Sequence, residues 1–334
     1  MKPVIEEAIA ALLGSAASPP SSMVIADLGC SSGPNAVALV AMAVDAIRHC
    51  RSIQRNQSPS EVCVLLNDLP SNDFNNVANG LAAFKQKHHQ ASALTVTTGM
   101  VPGSFYTRLF PSGSLHLVCA SYSVHWLSKQ APEDLVKNGI PAYDGDDNLR
   151  QARRPVVLAA YLRQFRSDFT MFLSLRAQEL VPGGRMVLSL IGRRCDDLAA
   201  RYIHTWERVA FALNDIASRG VIKRDTFDSF YIPVYGPSEK ELREIIDGEG
   251  SFEINQIHMP KIDKVVKSGL INPTIMANAT RAAFEPIIAQ HFGPSQEMMD
   301  EFVRTMEKDF MRSSMDAAEE DPRVSLCLSL TKRI

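Results

Sequence analysis

The chain has 334 residues, 46% of them hydrophobic and 22% charged, with 35 basic against 37 acidic side chains and a formal net charge of -2. That size and composition fit one large α/β domain carrying an insertion, or two domains sharing a core, and the lack of any basic tract argues against nucleic acid as a partner. No apolar run is long enough for a bilayer span, the first residues (MKPVIEE) carry no signal-peptide pattern, and the six cysteines are scattered without a CxxC pair; the expectation is a cytoplasmic protein with reduced thiols and no membrane partner.

A short loop, SAASPPSS (15–22), precedes an apolar run from Met23 to Leu28 that reads as a buried strand, followed by a helix carrying Val37, Val40, Val44 and Ile47. A second strand, Val62 to Leu66, runs into Asn67-Asp68-Leu69-Pro70, and a helix over about 74–87 follows. Leu94 to Thr98 and Leu115 to Ser121 are strand-like. A long helix is predicted from Pro155 to Leu180 on the spacing of Leu158, Tyr161, Phe165, Phe169 and Phe172, stopping at Pro182-Gly183-Gly184 before a strand from Met186 to Ile191. This alternation predicts a doubly wound parallel α/β sheet of Rossmann-like form. Further on, 201–218, 273–290 and 295–311 read as helices, and only Phe252 to His258 and Val324 to Leu330 return to strand character. Residues 1–195 with 236–262 and 323–334 are therefore expected to form the α/β domain, and 196–235 with 263–322 a helical cap and pocket over the C-terminal sheet edge, where open α/β sheets bind ligands.

The first strand ends in DLGCSSG (Asp27 to Gly33). Glycines at a strand-to-helix turn let the backbone approach a ligand closely, and the helix start offers free amides. The spacing is GxxxG rather than GxGxxG, and no P-loop lysine follows, which disfavours a nicotinamide dinucleotide or a triphosphate. S-adenosylmethionine carries no phosphate, and its charged amino-acid end suits an acidic residue such as Asp27. Asp68, just past the second strand, can accept both hydrogen bonds of a ribose diol. For Asp27 alone, an ordinary turn or cap role is the alternative.

These blocks carry a resemblance to the plant SABATH methyltransferases: ADLGCSSGPN (26–35), LNDLPSNDFN (66–75), VPGSFYTRLFP (101–111), SYSVHWLS (121–128), ELVPGGRMVL (179–188), DSFYIPVY (228–235) and EPIIAQHFG (285–293), in family order over nearly the whole chain. That family methylates carboxylates such as salicylate, benzoate, jasmonate and indole-acetate, and in some members purine nitrogens. The resemblance implies a class I methyltransferase sheet with a helical cap, a homodimer, and S-adenosyl-L-methionine held by Cys30, Asn35, Asp68, Leu69, Ser104 and Phe105, with Asp27 supporting the loop. It places the substrate on Tyr122, His125 and Trp126, with His125 and Trp126 as the catalytic pair that orients the carboxylate. Imidazole and indole N–H groups are both donors, which agrees. Ile191, Trp206 and Tyr235 match pocket-wall positions, and Thr205 and Thr280 variable ones; core packing is the alternative for these.

Some members hold magnesium, which the resemblance would assign to Asn138, Asp228 and Phe230, although Tyr231 stands where the family usually has Asn. The family also has some tens of residues ahead of the stretch matching MKPVIEEA, with a Ser-Tyr and a Gln that help to close the site; weak cofactor binding and slow turnover are the expectation for this sequence. The SVHW context of His125 looks most like members that use benzoate or salicylate, with jasmonate, indole-acetate or anthranilate as alternatives. A carboxylate is already deprotonated at neutral pH, so the expected reaction needs orientation and no general base. Two rivals remain at this stage: a nicotinamide oxidoreductase, and a binder without catalytic activity.

Overall fold

The computed structural model describes residues 1–15, 20–33, 35–53, 59–89, 94–194, 196, 205–259, 272–315 and 323–334. Residues 16–19, half of the SAASPPSS loop, lie outside them, as do the first four residues of the helix expected over 201–218. Among the described residues the strands are β1 (Ser22–Leu28), β2 (Glu61–Asp68), β3 (Thr95–Pro102), β4 (Leu115–Ser121), β5 (Leu180–Arg193), β6 (Phe252–His258) and β7 (Arg323–Lys332). They form one sheet of order β3-β2-β1-β4-β5-β7-β6. The pairs from β3 to β5 are parallel, as the sequence predicts, whereas β7 runs antiparallel to both β5 and β6. The sheet is thus mixed. Strand alternation with helices fixes direction only where a helix crosses over between neighbouring strands, and β5 and β7 are joined instead through the cap.

The central strands are mostly apolar and buried because both faces are covered. Successive residues point to opposite sides. Ile25, Leu117, Cys119 and Val187 enter one core with Val4, Ile5 and Ile9 of α1 (Lys2–Ser15), Val40, Val44 and Ile47 of α2 (Ala38–Ile53), and Val77, Leu81 and Phe84 of α3 (Phe74–His89). Ala26, Val118, Ala120, Met186 and Leu188 enter the other, against Leu158, Tyr161, Phe165, Phe169 and Phe172 of α5 (Asp147–Glu179). Each such aromatic removed from water contributes about 1.5–3 kcal/mol. A short helix, α4 (Glu133–Lys137), precedes α5.

Helix α5 starts eight residues before the expected Pro155. The Asp146 side chain accepts from the backbone N of Asn148 and Leu149, both at 2.9 Å, so the cap lies there and Pro155 is carried inside, on an exposed face. Strand β5 begins at Leu180 and passes through Pro182-Gly183-Gly184, with a register shift opposite Leu115 and Leu117. The rest of the chain supplies α6 (Thr205–Ser218), α7 (Arg224–Asp228), α8 (Glu239–Glu249), α9 (Pro273–Phe292) and α10 (Gln296–Met315). Helices α6, α9 and α10 pack together, and their Val209, Leu213, Phe284, Phe302 and Met306 continue the core of α5. No helix among the described residues is long and apolar enough to cross a membrane.

The chain lays β2 and β3 on one side of β1 and then returns to place β4 on the other. The C-terminal ends of β1 and β4 therefore flank the point where the winding reverses, the place where such sheets hold ligands.

Candidate active site

At the end of β1 the chain turns on Gly29, whose φ is +76°. A Cβ there would overlap the Ser123 side chain at the end of β4, and the Phe105 ring packs at the same spot. Glycine alone allows this approach. The loop is tied to its neighbours by the backbone N of Gly29 and Cys30, which donate to Asn67 O at 2.9 and 3.0 Å. Ser31 takes a left-handed φ of +59° without being glycine, held by its N–H on Asp68 Oδ2 at 2.6 Å. Asn72 and Asn76 donate to the carbonyls of Ser31 and Ser32.

Two carboxylates converge here. Asp27 is 3% exposed, and its Oδ1 has no hydrogen-bond partner. Burial, and then the Asp68 charge, push its pKa up from 3.8 to about 8. Burial likewise pushes the Cys30 thiol up to about 12, so it stays protonated. Asp68 is half-buried; besides Ser31 N it accepts from Leu69 N at 2.7 Å, which leaves acceptor capacity on both oxygens. Leu69 and Asn35 are exposed at the rim.

The loop after β3 closes this side. Ser104 caps its own turn, its Oγ accepting from Tyr106 N and its carbonyl from Thr107 N. Phe105 lies between Tyr106 and Phe172, at centroid distances of 4.7 and 5.8 Å. Below it, fully buried Arg176 donates to the carbonyls of Phe105 and Thr107 at 2.9 and 3.1 Å and pairs with fully buried Glu179. Glu179 in turn accepts from Leu109 N and Phe110 N. Asn67, with its amide on Val101 O and Gly103 O, ties the same loop to β2. Sequence reasoning missed these three. For the pair a signal existed: Arg176 and Glu179 continue the apolar stripe of α5 through Phe165, Phe169 and Phe172 at helical spacing, and charges on such a face must be paired.

The third element is the turn after β4. Tyr122 has a φ of +53° and its hydroxyl meets Ser325 Oγ at 2.7 Å. His125 is buried, and its Nδ1 accepts from Ile191 N at 3.4 Å. Burial lowers its pKa to about 4. The ring is therefore neutral, with its proton on Nε2 as a donor. Trp126 stacks on His125 at 6.2 Å and packs tilted against Phe284 of α9 at 5.3 Å. The turn is anchored by Tyr235 N on His125 O, by Leu127 N on Pro233 O, and by Asp168 of α5, which accepts from Ser128 N and Oγ. Beside it opens a cavity of ≈ 310 Å³, with Tyr122 and Ile191 on its strand side and Arg208, Met276, Thr280 and Phe310 on the cap helices.

The structure thus brings Asp27, Cys30, Asp68, Ser104 and Phe105 together, and lines one cavity with Tyr122 and Ile191, behind which His125 touches both and carries Trp126 against its ring. It does not bring Trp206 or Tyr235 to that cavity's lining. Trp206 is 2% exposed and stacks on Tyr161 at 5.1 Å. Tyr235 is fully buried, with its hydroxyl on Arg193 and Glu241. Both serve the core, because the faces expected to line the pocket are turned onto α5 and the β5–α8 junction. The side chain of Thr205 lies outside the described residues.

The magnesium ligands expected from sequence do not fit a metal ion. Asp228 Oδ1 accepts from Arg224 Nε at 2.9 Å, the Asn138 amide donates to Asp134 O, Phe230 is buried against His291 and Phe292, and the Tyr231 hydroxyl donates to Ile140 O. A guanidinium on the carboxylate takes the place that a hard cation would need.

Comparison with known proteins gives a consistent result. The family described as SAM dependent carboxyl methyltransferase matches residues 1–333. An S-adenosyl-L-methionine:benzoic acid/salicylic acid carboxyl methyltransferase of Petunia hybrida is 37% identical over 339 residues, covering 99% of this chain and 90% of that protein. A 3,7-dimethylxanthine N-methyltransferase of Camellia sinensis is 41% identical over 281 residues, covering 82% of this chain and 74% of its own. Among solved structures, loganic acid methyltransferase with SAH superposes with a TM-score of 0.80 at 28% identity, covering 100% of this chain and 92% of that one.

Proposed function

Because this chain belongs to the family of S-adenosylmethionine-dependent carboxyl methyltransferases, we propose that it forms methyl esters of small aromatic carboxylic acids of the benzoate or salicylate type. The observation that carries the reading is His125: a neutral imidazole whose Nδ1 is taken by Ile191 N, leaving an Nε2 donor beside the Trp126 indole and a cavity of ≈ 310 Å³. Two neutral N–H donors on adjacent residues suit a carboxylate, which is acceptor-only. The cavity is about twice the ~150 Å³ that takes up benzene.

The residues present fit the cofactor. Asp27 Oδ1, buried and without a hydrogen-bond partner, suits an ammonium group; the Gly29 approach leaves backbone where a side chain would intrude; Asp68 has acceptors for a diol; Phe105 offers an aromatic face. When bound, S-adenosylmethionine supplies a methyl group already activated on sulfonium. The protein's own work is then positional. His125 and Trp126 fix the acid, Ile191 N fixes the imidazole tautomer, and the cap helices exclude water. Orientation of this kind can contribute roughly 7–11 kcal/mol. No base is required, since the acid is ionised at neutral pH, and neutral His125 is not asked to take a proton.

A second reading is N-methylation of a purine, favoured by the 41% identity to a xanthine methyltransferase. Product chemistry separates the two. Incubation of methyl-labelled S-adenosylmethionine with benzoate or salicylate, and in parallel with a methylxanthine, should give a base-labile, organic-extractable ester from the acid; label that appears only in the base-stable purine product contradicts the proposal.

A further inference from the structure

We propose that Arg208 is a specificity-determining residue that selects acids bearing a second hydrogen-bond acceptor, remote from the carboxylate that is methylated. The inference rests on the carboxyl-methylating reading above and deepens it.

Arg208 is the charged residue in the lining of the ≈ 310 Å³ cavity, which is otherwise made of apolar side chains and hydroxyls. The hydroxyls have partners within the protein: Tyr122 with Ser325 Oγ at 2.7 Å, and Thr280 donating to Met276 O at 2.9 Å. The two walls differ in chemistry. On the strand side stand Tyr122 and Ile191, in contact with His125. On the helical side stands a guanidinium from α6, 14% exposed in its side chain, with Nη1 on Asp309 Oδ2 of α10 at 2.7 Å and Cζ 5.6 Å from the Phe310 ring centroid. A pocket that held only hydrocarbon would gain nothing from a charge in its wall, because taking that charge out of water is costly. Ligand pockets place a few polar groups in an apolar lining to fix orientation. A guanidinium presents five donors in a rigid plane suited to hydroxyl, carbonyl or carboxylate oxygens. The cavity's ≈ 310 Å³ has room beyond one aromatic ring for such a group.

The test compares kcat/KM for benzoate with that for its 3-hydroxy, 4-hydroxy and 4-carboxy derivatives, in the wild type, Arg208→Met and Asp309→Asn. The wild type should prefer at least one derivative over benzoate. In Arg208→Met that preference should fall about tenfold or more, the loss of one charge-assisted hydrogen bond. In Asp309→Asn, which keeps the guanidinium and removes its competing carboxylate, the preference should hold or rise. A purely structural strap between α6 and α10 would instead be broken equally by both substitutions. Preference unchanged in Arg208→Met, or falling alike in both variants, overturns the inference. Should Arg208→Met fail to fold, a fall in Asp309→Asn overturns it and a rise supports it. If the wild type binds S-adenosylmethionine by calorimetry but methylates none of these acids, the substrate reading itself has failed and the inference falls with it.

Discussion

Asp27 stands buried with one oxygen unpartnered, and its pKa of about 8 means that the ligand-free protein keeps it protonated at neutral pH. Between 3.8 and 8 the native state holds a proton that the unfolded state has released, so this residue makes stability fall as pH rises, by on the order of 1.4 kcal/mol per unit. Asp27→Asn should therefore raise the melting temperature of the ligand-free protein, little near pH 4 and increasingly toward pH 8. The cofactor's ammonium favours the ionised form, so S-adenosylmethionine affinity should climb from pH 6 to 8 in the wild type and stay flat in Asp27→Asn, as read by titration calorimetry. Asp68→Ala removes the acceptor for Ser31 N as well as for a ribose diol, and should weaken cofactor binding by about 1.5–3 kcal/mol or more; unchanged affinity removes Asp68 from the site. His125, neutral down to about pH 4, should put no limb near 6.5 in the pH profile of kcat/KM. His125→Ala and Trp126→Phe should each spare cofactor affinity and lower kcat/KM for the acid. The two carboxylates were legible in the sequence because a strand end is a fixed address. Asn67, Asn72 and Asn76 were not, because their partners are backbone atoms brought near only by tertiary approach. Trp206 and Tyr235 show the reverse: an aromatic in a cap can face cavity or core, and sequence does not say which.

At the scale of elements, helix α5 carries both the core and the site. Its Phe165, Phe169 and Phe172 fill one side of the sheet, while Asp168 holds the turn of His125 and Arg176–Glu179 holds the loop of Phe105. Glu179→Gln leaves a buried guanidinium without its counter-charge, which costs about 3–5 kcal/mol. Denaturant unfolding should register that loss, and the loosened loop should raise the cofactor dissociation constant. Helix α8 gives a milder case. Ser238 and Glu241 form a reciprocal capping box, so Ser238→Ala should cost about 0.5–2 kcal/mol with little change in methyl transfer. That box, Ser-x-x-Glu ahead of Leu242, was readable but not read, and α8 was missed with it. The start of α5 was misplaced for a related reason: Pro155 looks like a helix start, yet Asp146 supplies the stronger cap and the missing N–H faces solvent. Strands β4 and β6, in contrast, match the sequence reading residue for residue: β4 is a mostly apolar, buried run, and β6 is an edge strand with Phe252 buried and its polar residues turned outward.

On the scale of the molecule, the sheet puts its switch point between β1 and β4, and the chain sends its helical elements α6, α9 and α10 over that edge. The parallel half was legible from the alternation of strands and helices; the reversed β7 was not, because direction is set by a connection that runs through the cap. The same division holds for function. The cofactor half is built from contiguous motifs at strand ends and could be read. The cavity beside His125 is lined from six separated segments of the chain, and which of their side chains face inward is written in no single motif; the relatives include both benzoate/salicylate and xanthine methyltransferases. The most direct measurement is kcat/KM, by transfer of radiolabelled methyl from S-adenosylmethionine, for benzoate, salicylate, anthranilate, jasmonate, indole-acetate and a methylxanthine side by side. The neutral His125–Trp126 donor pair predicts ester formation, with an aromatic acid of the benzoate or salicylate type preferred over the methylxanthine by at least about tenfold. A methylxanthine turned over faster than every acid would contradict it.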